Sequence, residues 1–365
     1  MIFLIDSMSL KILIDVGDKV SSIYPQEKFM SYTRKQVESI HFPGFKSSLP
    51  TMKGKTIVIT GTTSGTGFVA AKTLLELGAK LVLLNRKSQR SDSSFQELKS
   101  MFPKSELHSV ECDLQSFESV KNSIPAIKKI CPEGIYALCN NAGVMALKDE
   151  ATKDGYDVQM QTNHLSHFLL TEELMPLLDK FASTSGESRI INHSSIARMS
   201  PSKVLKPEYL EKRGGNLGGD NASFFFGGAR WKRYNQTKLA NAAFTAALHH
   251  KLQKKGSKVK ALVAHPGLAN TELQVTSVKE GGMGSLFTGF LMSMGQSMED
   301  GAMGILSCIC LPEAKSGEFY GPGSSPMAMK GKAEPFPLES FYDNEKTIEM
   351  IWKKSCEAIG KDFSI

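Results

Sequence analysis

The chain has 365 residues, 41% hydrophobic and 22% charged, a composition that excludes a mostly disordered chain, a collagen-like repeat and a coiled-coil rod. Lys plus Arg is 44 and Asp plus Glu is 37, a net charge of +7; spread over this length it suits an anionic cofactor or an acidic membrane surface and does not announce nucleic-acid binding. The six cysteines, at 112, 131, 139, 308, 310 and 356, form no CxxC pair and no Cys/His spacing for a metal, so a disulfide scaffold and a zinc site are excluded and a reducing, cytoplasmic compartment is expected.

Residues 1–53 read as an N-terminal extension, punctuated by Tyr24-Pro25, Pro43-Gly44 and Leu49-Pro50. Its oily start carries Asp6 and Lys11, and no cation precedes the first apolar run. This fits an element covering part of the core better than a secretory signal. No apolar run in the chain reaches the ~18 residues of a membrane span, while peripheral contact with a membrane surface stays open. The ordered pattern begins at Lys55.

From there short apolar runs alternate with amphipathic ones. Strands are predicted at 56–60, 80–85, 107–112, 135–140, 189–193 and 259–265, and helices at 65–77, 94–101, 117–130, 156–181 and 234–255. Near-continuous apolar strands separated by helices predict one α/β domain over 54–337, a doubly wound parallel sheet covered on both faces. The tail, 338–365, holds an amphipathic helix at 345–359 with Ile348, Ile351, Trp352 and Ile359 on one side. It is expected to dock on the domain. The stretch after Tyr320, Gly321 to Pro326, reads as a loop.

Residues 199–233 are too long for an ordinary connection. They hold six glycines and the run Phe224-Phe225-Phe226, which suits a mobile lid over an apolar ligand; the plainer reading is a surface insertion packed on the body. Leu286–Met294 is a second apolar stretch of the same kind.

The first strand runs into Thr60-Gly61-Thr62-Thr63-Ser64-Gly65-Thr66-Gly67 and then a helix. A glycine-rich strand-to-helix turn lets backbone approach a diphosphate and places helix N–H groups on it. The second strand ends Asn85-Arg86-Lys87, with no acid to hold ribose hydroxyls. Arg86, with Lys87 and Ser64 near it, suits the 2′-phosphate of NADP(H) in preference to NAD.

Ser194-Ser195 end the strand at 189–193, on the side where ligands sit in such sheets. Tyr234 and Lys238 are four apart and share one helix face. An ammonium beside a phenol is expected to lower the phenol pKa, so that Tyr234 trades a proton with a carbonyl or alcohol.

The ordered set TGxxxGxG, Asn140-Asn141-Ala142-Gly143, Asn163, Ser195 and Tyr234-x-x-x-Lys238 resembles the short-chain dehydrogenase/reductase family over about 55–320. The wording Thr162 to Thr171, Lys238-Leu239-Ala240-Asn241 and His265-Pro266-Gly267 with Thr271 looks like its retinol dehydrogenase and WW-domain oxidoreductase branch. The resemblance implies a Rossmann fold and roles for single residues. Tyr234 is the general acid or base, Lys238 holds the nicotinamide ribose, Ser195 binds the substrate oxygen, and Asn163 interrupts a helix and holds a relay water. Gly61, Ser64, Gly65, Thr66 and Gly67 take the diphosphate and Arg86 the 2′-phosphate. Asp113 and Leu114 face the adenine, Asn141, Ala142 and Gly143 the adenosine ribose, and Pro266 and Thr271 the nicotinamide end. Two features depart from the family pattern: Thr66 replaces an aliphatic residue, and Ser195 and Tyr234 are 39 apart (234 − 195), so the insertion must loop out.

The expected activity is NADP(H)-dependent hydride transfer with a carbonyl or alcohol of a hydrophobic small molecule. Reduction of a carbon–carbon double bond, as in protochlorophyllide reductases, and a non-catalytic NADP-binding regulator are the alternatives. Oligomeric state is left open. His164 and His167 read as structural, His249 and His250 as solvated, and Cys308 and Cys310 as core. Arg230-Trp231-Lys232-Arg233 reads as a basic surface turn, or else as a site for an acidic substrate or headgroup.

Overall fold

In the computed structural model the described residues are 37–200, 202–222, 227–271, 277, 281–282, 295–323, 325 and 328–365. The Phe224–Phe226 run, the Leu286–Met294 stretch and residues 1–36 lie outside them.

The strands are β1 (Thr56–Thr60), β2 (Lys80–Asn85), β3 (Leu107–Glu111), β4 (Ala137–Asn140), β5 (Ser188–His193), β6 (Val259–Ala264), β7 (Glu318–Pro322) and β8 (Ala333–Pro337). They form one sheet in the order β3-β2-β1-β4-β5-β6-β7-β8. All neighbours pair parallel except β7 and β8. This is the expected doubly wound α/β sheet with one antiparallel strand at its edge. The order reverses at β1, between β2 and β4, and such a switch point opens a crevice at the C-terminal strand ends.

Successive strand residues point to opposite faces, and two cores follow from that alternation. Val58, Val82, Leu138 and Ile190 lie under α4 (Phe117–Ile130), α6 (Ser166–Ser185), α7 (Gly228–Lys255) and α9 (Glu345–Ile359). Ile57, Ile59, Leu81, Leu83 and Ile191 lie under α2 (Gly65–Glu76), α3 (Gln89–Met101) and α8 (Met298–Cys310). Cys308 and Cys310 are buried there, as expected. Helix α9 docks through Ile351, Trp352 and Ile359, with the Trp352 ring edge-on to Phe168 at 5.3 Å.

The described end of the N-terminal extension packs on the domain. Helix α1 (Phe42–Ser48) buries Phe42, and the Asp300 carboxylate accepts from the backbone N–H groups of Ile40, His41 and Phe42 at 3.0, 3.0 and 2.8 Å. The stretch after Tyr320 is not all loop, because Gly321 and Pro322 end β7. The long helix predicted at 156–181 is broken: an α turn α5 (Val158–Met160), a π-helical stretch (Gln161–Leu165), then α6. Helix α7 starts at Gly228, ahead of Tyr234, so Arg230-Trp231-Lys232-Arg233 is helix and not a turn.

Candidate active site

A cavity of about 560 Å³ opens in the crevice at the β1/β4 switch point. It is lined by every candidate residue except Asn163, from Gly61, Ser64, Gly65, Thr66 and Gly67 through Arg86, Asp113, Leu114, Asn141, Ala142 and Gly143 to Ser195, Tyr234, Lys238, Pro266 and Thr271.

The glycine turn is built for close approach. Gly61 has φ +72°, and a Cβ there would stand 2.6 Å from the Cα of Ala142. A Cβ on Gly67 would stand 2.2 Å from the Gly61 carbonyl oxygen and 2.4 Å from Asn141 Nδ2. Asn141 locks this contact by donating to the Thr60 and Gly61 carbonyls at 2.8 and 3.0 Å. Asn85, at the end of β2, accepts from Thr62 N–H at 2.9 Å and donates to the Thr62 hydroxyl at 2.9 Å. Ser64 stands at the N-cap of α2 with no side-chain capping bond; its hydroxyl accepts from Arg90 instead. Arg86 and Arg90 both line the cavity near the end of β2, whereas Lys87 does not. Arg90 escaped the sequence reading because α3 was expected to start at Ser94. The signal was Ser88, which caps α3 by accepting from Ser91 N–H and so brings Arg90 into the first turn.

At the other end, Tyr234 and Lys238 are buried on α7, and Ser195 lines the same end of the cavity, near enough to the Tyr234 phenol to favour its ionised form. The insertion therefore does loop out, and the two residues converge across their separation. Ser194 is not a rival for Ser195, because its hydroxyl is committed to the Lys238 carbonyl at 2.7 Å. Lys238 Nζ donates to the His193 carbonyl at 3.1 Å and lies 5.7 Å from the centre of the Tyr234 ring.

The expected lowering of the Tyr234 pKa is not what this geometry gives. Burial pushes the phenol up to about 12, opposed by the nearby Ser195. Burial also brings the Lys238 ammonium down from 10.5 to about 8. Desolvation of both groups outweighs the attraction between ammonium and phenolate.

Asn163 stands behind the cavity wall. A Cβ on Gly143 would lie 3.2 Å from Asn163 Oδ1 and 3.4 Å from Lys238 Nζ. The π-helical stretch turns the Asn163 amide across two segments: Oδ1 accepts from Val144 N–H at 2.7 Å, and Nδ2 donates to the Val144 carbonyl at 2.9 Å and to the Thr237 hydroxyl at 2.8 Å.

His164 and His167 are structural here, as expected. His164 Nε2 meets the Ser355 hydroxyl of α9 at 2.9 Å. His167 Nδ1 donates to the Asn163 carbonyl at 3.0 Å, and its Nε2 accepts from the Thr60 hydroxyl at 2.9 Å. Of the pair expected to be solvated, His250 pairs with Asp343 at 2.7 Å and stays half exposed, while His249 is partly buried against Ser316. Arg230 and Arg233, expected at the surface, are buried. Trp231 lines the cavity edge-on to the Tyr234 ring at 5.8 Å, and its indole N–H donates to the Gly282 carbonyl at 3.0 Å.

Residues 55–207 match the family model described as short chain dehydrogenase. The chain is 32% identical over 247 residues to an uncharacterised oxidoreductase of Schizosaccharomyces pombe, covering 66% of this chain and 68% of that one. It is 30% identical over 310 residues to retinol dehydrogenase 12 of Mus musculus, covering 84% and 87%. A crystal structure of L-sorbose reductase from Gluconobacter frateurii, complexed with NADPH and L-sorbose, superposes with a TM-score of 0.56 at 21% identity, over 76% of this chain and 98% of that one. At that identity the likeness is one of fold.

Proposed function

The chain belongs to the short-chain dehydrogenase/reductase family, in its retinol dehydrogenase-like branch, and from that premise we propose that it is an NADP(H)-dependent oxidoreductase acting on the carbonyl or alcohol group of an apolar small molecule. The observation that carries this reading is one cavity lined by a glycine-rich strand-to-helix turn at one end and by Ser195, Tyr234 and Lys238 together at the other.

The cofactor fits the residues present. The Gly61 and Gly67 positions leave no room for a side chain, so the turn packs tightly on Asn141 and Ala142, and with Ser64, Gly65 and Thr66 it lines the cavity at the start of α2, the end of a helix that suits phosphate. Arg86 and Arg90 stand where β2 ends, and no carboxylate follows Asn85 there. Two guanidinium groups favour a 2′-phosphate over a bare diol. When bound, NADPH supplies the hydride.

The side chains carry out the proton chemistry. In the reductive direction the Tyr234 phenol donates its proton to the carbonyl oxygen, while the Ser195 hydroxyl hydrogen-bonds that oxygen and orients it. A phenol held neutral by burial is a competent donor, and Lys238, its Nζ 5.7 Å from the centre of the ring, is the cation placed to stabilise the phenolate that remains once the proton has left. Beyond Tyr234 the cavity wall is Val144, Met145, Ala197, Trp231, Leu268 and Met329, which suits an apolar substrate. The test is NADPH oxidation by the purified chain against aldehydes and ketones of graded size. Turnover that rises with apolar size supports the reading; tight NADPH binding with no oxidation of any of them refutes it.

A further inference from the structure

Segments far apart in the chain meet at one side chain. Arg233, just before Tyr234, is fully buried. Its guanidinium lies 3.3 Å from Asp157 and 3.5 Å from Asp149, both of them buried, and 3.8 Å from the half-exposed Asp220. Nη1 donates to the carbonyls of Leu217 and Gly219 at 3.2 and 2.8 Å, and Nη2 to the carbonyl of Leu147 at 3.1 Å. The approach to Asp157 is too far off-line for a hydrogen bond, so that contact is Coulombic.

The carboxylates extend the cluster. Asp149 accepts from the N–H groups of Leu217 and Gly219 at 2.8 Å each. Asp157 caps the turn that leads into the π-helical stretch, accepting from Gln159 and Met160 N–H at 3.1 and 2.8 Å. None of Arg233, Asp149 and Asp157 lines the cavity, so this charge is not spent on substrate or cofactor.

Its place on α7 shows what it does reach. Arg233 and Thr237 are four apart and form one stripe of the helix, next to the Tyr234–Lys238 stripe. Thr237 accepts from Asn163, and Arg233 pairs with the Asp157 cap one turn earlier. One stripe is thus bolted to the Asn163 segment while its neighbour faces the cavity. Apolar packing between helices tolerates small slides. A guanidinium shared among two buried carboxylates and three carbonyls does not, since a slide leaves buried charge unpaired.

We propose that Arg233 is a positioning residue. With Asp149 and Asp157 it sets the register of the Tyr234 helix against the Asn163 segment, and it fastens residues 217–220 of the insertion to that junction. The proposal rests on the reading of Tyr234 as proton donor.

The test uses the full chain and three variants: Arg233→Lys, Arg233→Met, and the charge-balanced combination Asp149→Asn, Asp157→Asn, Arg233→Met. The combination leaves no lone buried charge and keeps the test open if Arg233→Met alone does not fold. The readouts are the NADPH dissociation constant by fluorescence, kcat and KM for decanal, and the titration of Tyr234 by NMR of ring-labelled tyrosine. The combination is expected to lower kcat by about 10²-fold, the effect of a misplaced reacting group, with KM and NADPH affinity held. Arg233→Lys, keeping the charge but not the fork, is expected to fall between it and wild type. The Tyr234 titration is expected to move from its raised position toward that of ordinary tyrosine as water reaches the ring. A folded combination variant with wild-type kcat and an unmoved Tyr234 titration overturns the proposal; so does NADPH affinity that falls in step with kcat. If wild type does not turn over decanal, the aldehyde or ketone of the graded set that it turns over fastest replaces it; if it turns over none, the functional reading fails, and the Tyr234 titration alone then decides whether Arg233 holds the helix.

Discussion

Replacing Lys238 by methionine is expected to make the protein more stable and less active at once. The ammonium is buried with one hydrogen bond, to the His193 carbonyl, and that carbonyl keeps a second donor, Asn241 Nδ2, at 3.0 Å. Methionine has similar length and no charge to desolvate, so the change orphans no partner. Burial lowers the Lys238 pKa from 10.5 to about 8; at 1.36 kcal/mol per unit, holding the charge costs the fold about 3 kcal/mol at neutral pH. The sign follows from proton counts. Between pH 8 and 10.5 the unfolded chain binds more protons than the folded one, so wild-type stability rises with pH across that window. The variant lacks this term. Its advantage should therefore be full at pH 7, roughly 5 °C in melting temperature, and should shrink toward pH 10.5. Thermal melts of both proteins at pH 7 and pH 10 measure it, and a NADPH titration with a turnover assay measures the accompanying loss of function. A variant less stable than wild type at pH 7, or a gap that widens with pH, refutes the reasoning.

Tyr234→Phe should leave NADPH binding intact and lower turnover by ~10²–10⁴-fold, the usual worth of a general acid; steady-state kinetics check it. Arg86→Asp and Arg90→Ala should each narrow the preference for NADPH over NADH, by roughly 1.5–3 kcal/mol for a lost charge-assisted bond, read as the ratio of the two dissociation constants. Gly67→Ala should abolish cofactor binding or folding, because its methyl would stand 2.2 Å from the Gly61 carbonyl oxygen; circular dichroism and a NADPH titration separate the two outcomes.

What could be read from the sequence and what could not divide along physical lines. Strands β1, β2, β4, β5 and β6 are legible because they are buried on both faces and mostly apolar, and the edge strand β3 is legible from its place in the strand–helix alternation. Strands β7 and β8 carry Gly321, Pro322, Pro335 and Pro337, residues that argue against a strand until its place near the sheet edge is known. The glycine turn and the Tyr234–Lys238 pair are legible because spacing places them on one turn and one helix face, and Ser195 is legible from its place after a strand end and from the family resemblance. Arg233 is not, because a charge in a run of charges looks solvated. Its carboxylate partners at Asp149 and Asp157 lie more than seventy residues upstream, and only the tertiary fold brings them to it. The apolar pattern is equally silent on the π-helical stretch, since one extra residue per turn leaves it nearly unchanged; the family resemblance alone marks an interruption at Asn163.

The imidazoles packed behind the cavity make it deaf to acidity in the range where histidine usually responds. Burial holds His164 and His193 down to about 3 and His167 to about 4, and it holds His265 well below its ordinary value. His164, His167 and His193 therefore stay largely neutral above pH 5, so the tautomer that links Thr60 through His167 to the Asn163 carbonyl persists unchanged. The group on the cavity wall that burial moves within reach of neutrality is Lys238, near 8. Mild acidification therefore leaves the hydrogen-bonded wiring intact, and a rise toward alkaline pH is felt first at the lysine beside the reacting phenol.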